Sequence, residues 1–196
     1  MKVIAVLVLG GLGLYGCSAD YADEGTATRV LLITAVNGGN VLDSDPRQAT
    51  LTESTICPDV VPVRVENHPK NPAAPTAGFR DDIVIERYEI RYFRSDGRGV
   101  EGVDVPFRIS GNLAFEVVGG EATTFNLEVV RRQAKIEPPI DQLVNGGGAF
   151  IVTMFAEITL HARTTTGQAT NAATARLQID FADFINTDAK CPTTGS

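Results

Sequence analysis

From Phe150 to Ala162 the chain alternates, with Phe150, Val152, Met154, Ala156, Ile158 and Leu160 at even positions and Thr153, Glu157, Thr159 and His161 among the odd ones. A helix advances about 100° per residue and cannot keep such a set on one face, whereas an extended strand does so at every second residue. The segment TTTGQ then turns the chain, and Ala173, Ala175, Leu177, Ile179 and Phe181 repeat the pattern against Thr174, Arg176, Gln178 and Asp180. Two long antiparallel strands, each with one dry and one wet face, need a second layer to cover the dry side. This hairpin sets the fold class.

The remaining chain reads as further strands separated by turn chemistry. Arg29 to Val36 is a nearly continuous apolar run, which predicts a strand buried on both faces. Ala49 to Thr52 reads as a short strand. Val60 to Glu66 alternates, but Pro62 cannot donate to a ladder, so this strand is expected at an edge or starting at the proline. In Ile83 to Arg94, Val84, Tyr88, Ile90 and Tyr92 share one face, interrupted by Glu86, while Arg87, Glu89 and Arg91 share the other. Val103 to Ser110, Leu113 to Val118 and Thr123 to Val130 continue the series, joined by SGN and GGEA. IEPPIDQLV (136–144) has room for one helical turn, and Gly146 to Gly148 read as a flexible connection.

The expected fold is therefore all-β: a two-sheet antiparallel β-sandwich of about seven to nine strands over residues 28–184, with decorated loops at 37–59 and 67–81. A closed barrel is the competing architecture. Strand lengths, turn spacing and the closing hairpin resemble an immunoglobulin-like or fibronectin-like sandwich. The chain lacks tryptophan, so the Cys…Trp…Cys signature of true immunoglobulin domains is missing.

The N-terminus carries an address. Lys2 is followed by an aliphatic and glycine run from Val3 to Leu14, the pattern of a secretory leader and too short for a spanning helix, which needs about 20 apolar residues. One reading is an ordinary leader cleaved near Ala19. The other rests on Leu14-Tyr15-Gly16-Cys17, which resembles the lipobox of bacterial lipoproteins. That resemblance implies removal of residues 1–16, a diacylglyceryl group on the Cys17 thiol and acylation of the new amino terminus. Each buried methylene contributes about 0.8 kcal/mol, and one chain holds only marginally, so two or three chains make a firm anchor. Ser18 follows the cysteine where inner-membrane retention would typically place aspartate, which implies the outer membrane or cell surface of a bacterial envelope. Residues 17–27, polar and acidic after the cysteine, read as a tether.

A net charge of −7, one unit more negative once Lys2 is lost, argues against nucleic acid or anionic lipid as a main partner. With Cys17 acylated, Cys57 and Cys191 remain as an even pair in an oxidising compartment, either bridged or as free thiols; a bridge pins the tail 185–196 to the loop around Cys57.

No catalytic constellation stands out. His68 precedes a proline, His161 falls on a wet strand face, and neither belongs to a spaced metal motif. Asp43, Asp45, Asp81, Asp82, Asp96 and Asp104 lie at expected strand ends or loops. Calcium favours clustered oxygen ligands of this kind, with Asp43, Asp45, Asp96 and Asp104 as its candidates, although turn preference also explains Asp96-Gly97. The expected role is a non-enzymatic, membrane-tethered interaction or structural module with no required cofactor. Its partner is expected to be an envelope protein or glycan. The alternative is a calcium- or carbohydrate-binding protein, less readily a glycan hydrolase, that uses the loop aspartates.

Overall fold

The computed structural model describes residues 27–50, 52–71, 73, 82–145, 150–186 and 189–191. The leader, Cys17, the tether up to residue 26, Asp81 and the glycines at 146–148 lie outside them. Among the described residues ten strands are formed: β1 (Arg29–Val36), β2 (Leu42–Ser44), β3 (Gln48–Ala49), β4 (Ser54–Thr55), β5 (Asp59–Pro69), β6 (Ile83–Arg94), β7 (Ile109–Val117), β8 (Ala122–Val130), β9 (Val152–Thr164) and β10 (Ala173–Phe181). Helix among the described residues is confined to short turns, including α1 (Arg132–Lys135) and a 3-10 turn at Ile140–Leu143.

The protein is all-β. One sheet has the order β1-β5-β8 and the other β2-β10-β9-β6-β7, while β3 and β4 form a separate small ribbon. Pairing is antiparallel throughout, except that β2 runs parallel to β10. The sheets are distinct, which answers the barrel alternative among the described residues. Their inward faces share one core: Leu31, Val61, Val63 and Leu127 from the three-stranded sheet meet Ile90, Met154, Ile158 and Ile179 from the other. Tyr92 on β6 ties the layers together, its hydroxyl donating to the Val129 carbonyl of β8 at 2.6 Å. Burial pushes that hydroxyl's pKa up, so it stays a donor.

The closing hairpin forms as expected, with Met154, Ala156, Ile158, Leu160 and Ala162 inward on β9 and Ala173, Leu177, Ile179 and Phe181 inward on β10. Phe150, however, precedes the strand and is 70% exposed rather than in the core. The β6 face also needs correction. Ile83 and Ile85 are buried, then Ile90 and Tyr92, so the inward parity switches along one strand. The register shifts between Ile85 and Arg87 against both neighbours. Against β9, Glu86 is the extra residue of a β-bulge, two steps along β6 answering one along β9, and one inserted residue exchanges the faces. Val84 therefore does not join the inward set.

Three other expectations change. β1 is an edge strand, not one buried on both faces, and Leu32 is exposed. Its outer edge is covered by Asn171, whose amide accepts from Leu31 N–H and donates to Leu31 C=O, both at 3.0 Å. β5 is the centre of its sheet despite Pro62. The β1 ladder ends at Val36↔Val63, so Pro62 lies just beyond it with only β8 alongside, and the missing donor costs no bond on that flank. Finally, the segments 103–110 and 113–118 are not two strands. Residues 95–108 form a loop, and SGN lies inside a single strand, β7, where the Tyr88 ring packs so closely on Gly111 that a Cβ there would sit 2.6 Å from it. Likewise the strand expected at Ala49 to Thr52 is the two-residue β3.

Candidate functional site

Strand directions give the sandwich two ends. The described chain enters beside the β9–β10 turn, where Ala27 N–H donates to Ala169 C=O at 3.0 Å. The ends of β5 and β7 and the starts of β6 and β8 lie at this entry end. The far end gathers the finish of β1 and β10, β2, the start of β5, the 95–108 loop, α1, the start of β9 and the C-terminal segment.

The far end has a polar interior. After β8, the single turn α1 swings Lys135 inward, where it is 2% exposed. Its Nζ donates to the Asp45 carbonyl at 2.9 Å and to Asp59 Oδ1 at 2.8 Å. Ser44 Oγ donates to the other oxygen of the same carboxyl, Asp59 Oδ2, at 2.5 Å. Burial raises the Asp59 pKa, against the opposing pull of Lys135 and Ser44. Asp45 is also buried; its side chain accepts from Arg47 N–H at 2.9 Å and from Asn186 Nδ2 at 2.6 Å. Burial raises its pKa too, partly offset by those two hydrogen bonds. Two residues before Asp59, Cys57 is joined to Cys191, with Cα atoms 5.2 Å apart. The tail is thus pinned where the bridge reading placed it, and the free-thiol reading is excluded.

The same end has an apolar exterior. Val100, Val103 and Phe107 project from the 95–108 loop, and Phe150, Ile151 and Ile185 (97% exposed) from neighbouring segments. Phe107 is seated over Gly102, whose φ of +75° and missing Cβ allow the ring to approach; a Cβ there would lie 2.6 Å from Phe107 Cζ. Val41 and Ile136 are exposed at this end as well. Around them stand ion pairs, Arg98 with Asp96 at 2.7 Å and Arg108 with Glu101 at 2.8 Å.

The calcium candidates are dispersed. Asp43 is exposed on β2, and Asp45 is occupied as described. Asp96 and Asp104 both face Arg98, and Asp82 accepts from Gly119 N–H at the entry end. Among the described residues no group of three or more His, Cys, Asp or Glu side chains is arranged to hold a metal ion. The histidines pair with carboxylates: His68 with Glu66 at 2.8 Å, His161 with Glu89 at 3.8 Å. Arg87 and Glu89 pair with each other on the outer face, beside a shallow groove that also touches Arg108 and Asn112. The residues that sequence reasoning missed are Ser44, Asp59 and Lys135. A lysine buried by a four-residue helical turn leaves no periodic signal, because its inward direction depends on where β8 ends.

No protein-family model matches the chain, and neither does any curated protein. Among solved structures, the X-ray structure of Northeast Structural Genomics Consortium target SoR45 is similar at 8% identity, over 76% of this chain and 86% of that one, with a TM-score of 0.36. A likeness that weak carries no argument about function.

Proposed function

We propose that this protein is a lipid-anchored lipoprotein of the bacterial envelope whose immunoglobulin-like or fibronectin-like sandwich binds a protein partner through its far end and catalyses no reaction. The strand orders β1-β5-β8 and β10-β9-β6-β7 support the immunoglobulin-like reading, since they match A-B-E against G-F-C with a further strand beside C. The anchor is the acyl group on Cys17 that the lipobox resemblance implies, in the outer membrane or at the cell surface.

One observation carries the binding role. Among the described residues, eight of the ten exposed large hydrophobic ones lie at the far end, whereas the chain that leads back to Cys17 enters at the opposite one. Exposed apolar groups gathered at one end and accompanied by ion pairs are the usual composition of a protein contact surface. A module held at its entry end presents that surface away from its own membrane.

Two measurements test the proposal. Mass spectrometry of the protein from the membrane fraction is expected to find an acylated Cys17 as the first residue; a chain that keeps residues 1–16 and stays in the cytosol refutes the anchor. A photo-crosslinking residue at Phe107 or Phe150 is expected to yield one discrete protein adduct in intact cells, and the same residue at Val118, at the entry end, none. Equal labelling from both ends refutes the far-end surface.

A further inference from the structure

From the contact of a buried amine with a half-buried carboxyl we infer that Lys135 and Asp59 are the two halves of an intramolecular amide crosslink, formed by condensation of the lysine side chain on the aspartate side chain. Such a crosslink does not depend on what the far end binds.

Four groups converge at the site. Lys135 Nζ lies 2.8 Å from Asp59 Oδ1, with side-chain exposures of 1% and 14%. Ser44 Oγ donates to Asp59 Oδ2, and the Asp45 carbonyl accepts from Nζ at 2.9 Å. An ion pair sealed in this way is a poor source of stability, because the loss of hydration of two charges rivals their attraction. One proton passing from Nζ to Oδ1 within this contact turns the pair into a neutral amine and a neutral acid, the form from which an amide can condense.

Condensation proceeds from the neutral pair. The Nζ lone pair attacks Asp59 Cγ, and the C–N bond forms as the C=O π electrons move onto Oδ2. There the Ser44 hydroxyl is already placed to stabilise the oxyanion. The Asp45 carbonyl holds one Nζ–H and so orients the lone pair. Collapse of the intermediate breaks the Cγ–Oδ1 bond. Oδ1 carries the proton it received, takes a second from Nζ and leaves as water through the partly exposed side of Asp59. The balance is one amine and one carboxylic acid giving one amide and one water, with no oxidant or co-reactant. Amides do not form from dilute amine and acid in water, but well-oriented groups held together reach effective molarities of about 10⁵–10⁸ M, which lowers the barrier to condensation. The product replaces two buried charges with a neutral amide. It ties the start of β5 to α1, two residues from the Cys57–Cys191 bridge.

The test is peptide mass spectrometry on the full mature protein taken from its membrane, reduced and digested with trypsin. The expected product is a branched peptide joining 48–64 to 133–163, uncleaved after Lys135 and lighter by one water than its two parts. Lys135→Arg, with folding checked by circular dichroism, is expected to abolish the branch, because a guanidinium does not acylate here. Ser44→Ala is expected to slow its appearance after refolding by about 100-fold, the typical loss on removing one oxyanion donor. Complete cleavage after Lys135 in wild-type protein whose Cys57–Cys191 bridge is intact overturns the inference and leaves an ordinary ion pair. A branch that persists in Lys135→Arg also overturns it, because the crosslink then lies elsewhere.

Discussion

Removing the Cys57–Cys191 bridge acts mainly on the unfolded chain. The two cysteines are 134 residues apart, so the bridge closes a loop that contains β5 through β10 and the core built from them. In the chain-entropy model a loop of this length is worth about 5 kcal/mol at 25 °C, an upper value because real bridges often deliver less. The native contacts it touches are few: Cys57 is buried, but Cys191 sits on a short terminal segment outside the sheets. Cys57→Ser with Cys191→Ser is therefore expected to keep the native far-ultraviolet circular dichroism spectrum while lowering the unfolding free energy in urea by about 3–5 kcal/mol. For a domain of this size that corresponds to a fall in Tm of about 6–20 °C. The urea m-value should rise as well, since a denatured chain without the crosslink is less compact and exposes more surface. The control is the wild-type protein under reductant, with thiol trapping to confirm two free cysteines. An unchanged midpoint and m-value in fully reduced protein would falsify the reasoning, since the loop would then be constrained by something else.

Asn171→Ala removes both hydrogen bonds that cover the outer edge of β1 and leaves the buried Leu31 peptide unpaired there. A loss of about 1–3 kcal/mol is expected in urea melts, with faster amide exchange at Leu31; a change under about 0.5 kcal/mol counts against the edge-cover role. Gly111→Val drives a side chain into the Tyr88 ring and is expected to cost about 1–3 kcal/mol, with a shift of the Tyr88 ring resonances; neutral stability would mean that the close approach is absent. Carboxyl titration by NMR should place the Asp45 midpoint above 3.8 and those of Asp96 and Glu66 below 3.8 and 4.5. For Asp45 the folded protein binds its proton at higher pH than the unfolded chain, so its contribution to stability grows as pH falls through the folded midpoint towards 3.8. Asp96 and Glu66, paired with Arg98 and with His68 and Arg64, contribute stability above their unfolded values that is lost as pH falls through their lowered midpoints. The reverse order of midpoints would contradict the burial described for Asp45 and the hydrogen bonds that hold Asp96 and Glu66.

Much of the architecture was written into residue order, because an alternating strand carries its inside and outside in its own period. The β9–β10 hairpin needed nothing else: side chains two apart share a face whatever lies opposite them. The all-β class followed, and so did the bridge, since an even pair of cysteines is a matter of counting once the compartment is assumed. What the period could not supply was anything that breaks it or lies across it. The bulge at Glu86 exchanges the faces of β6, yet one extra residue is visible only against the partner strand β9. Pro62 in a central strand is tolerated because β1 stops one residue short of it, a fact of register between segments far apart in sequence. The meeting of Ser44, Asp59 and Lys135 is of the same kind: three separate segments arrive at one end of the sandwich, and only the closed chain brings an amine within hydrogen-bonding distance of a carboxyl.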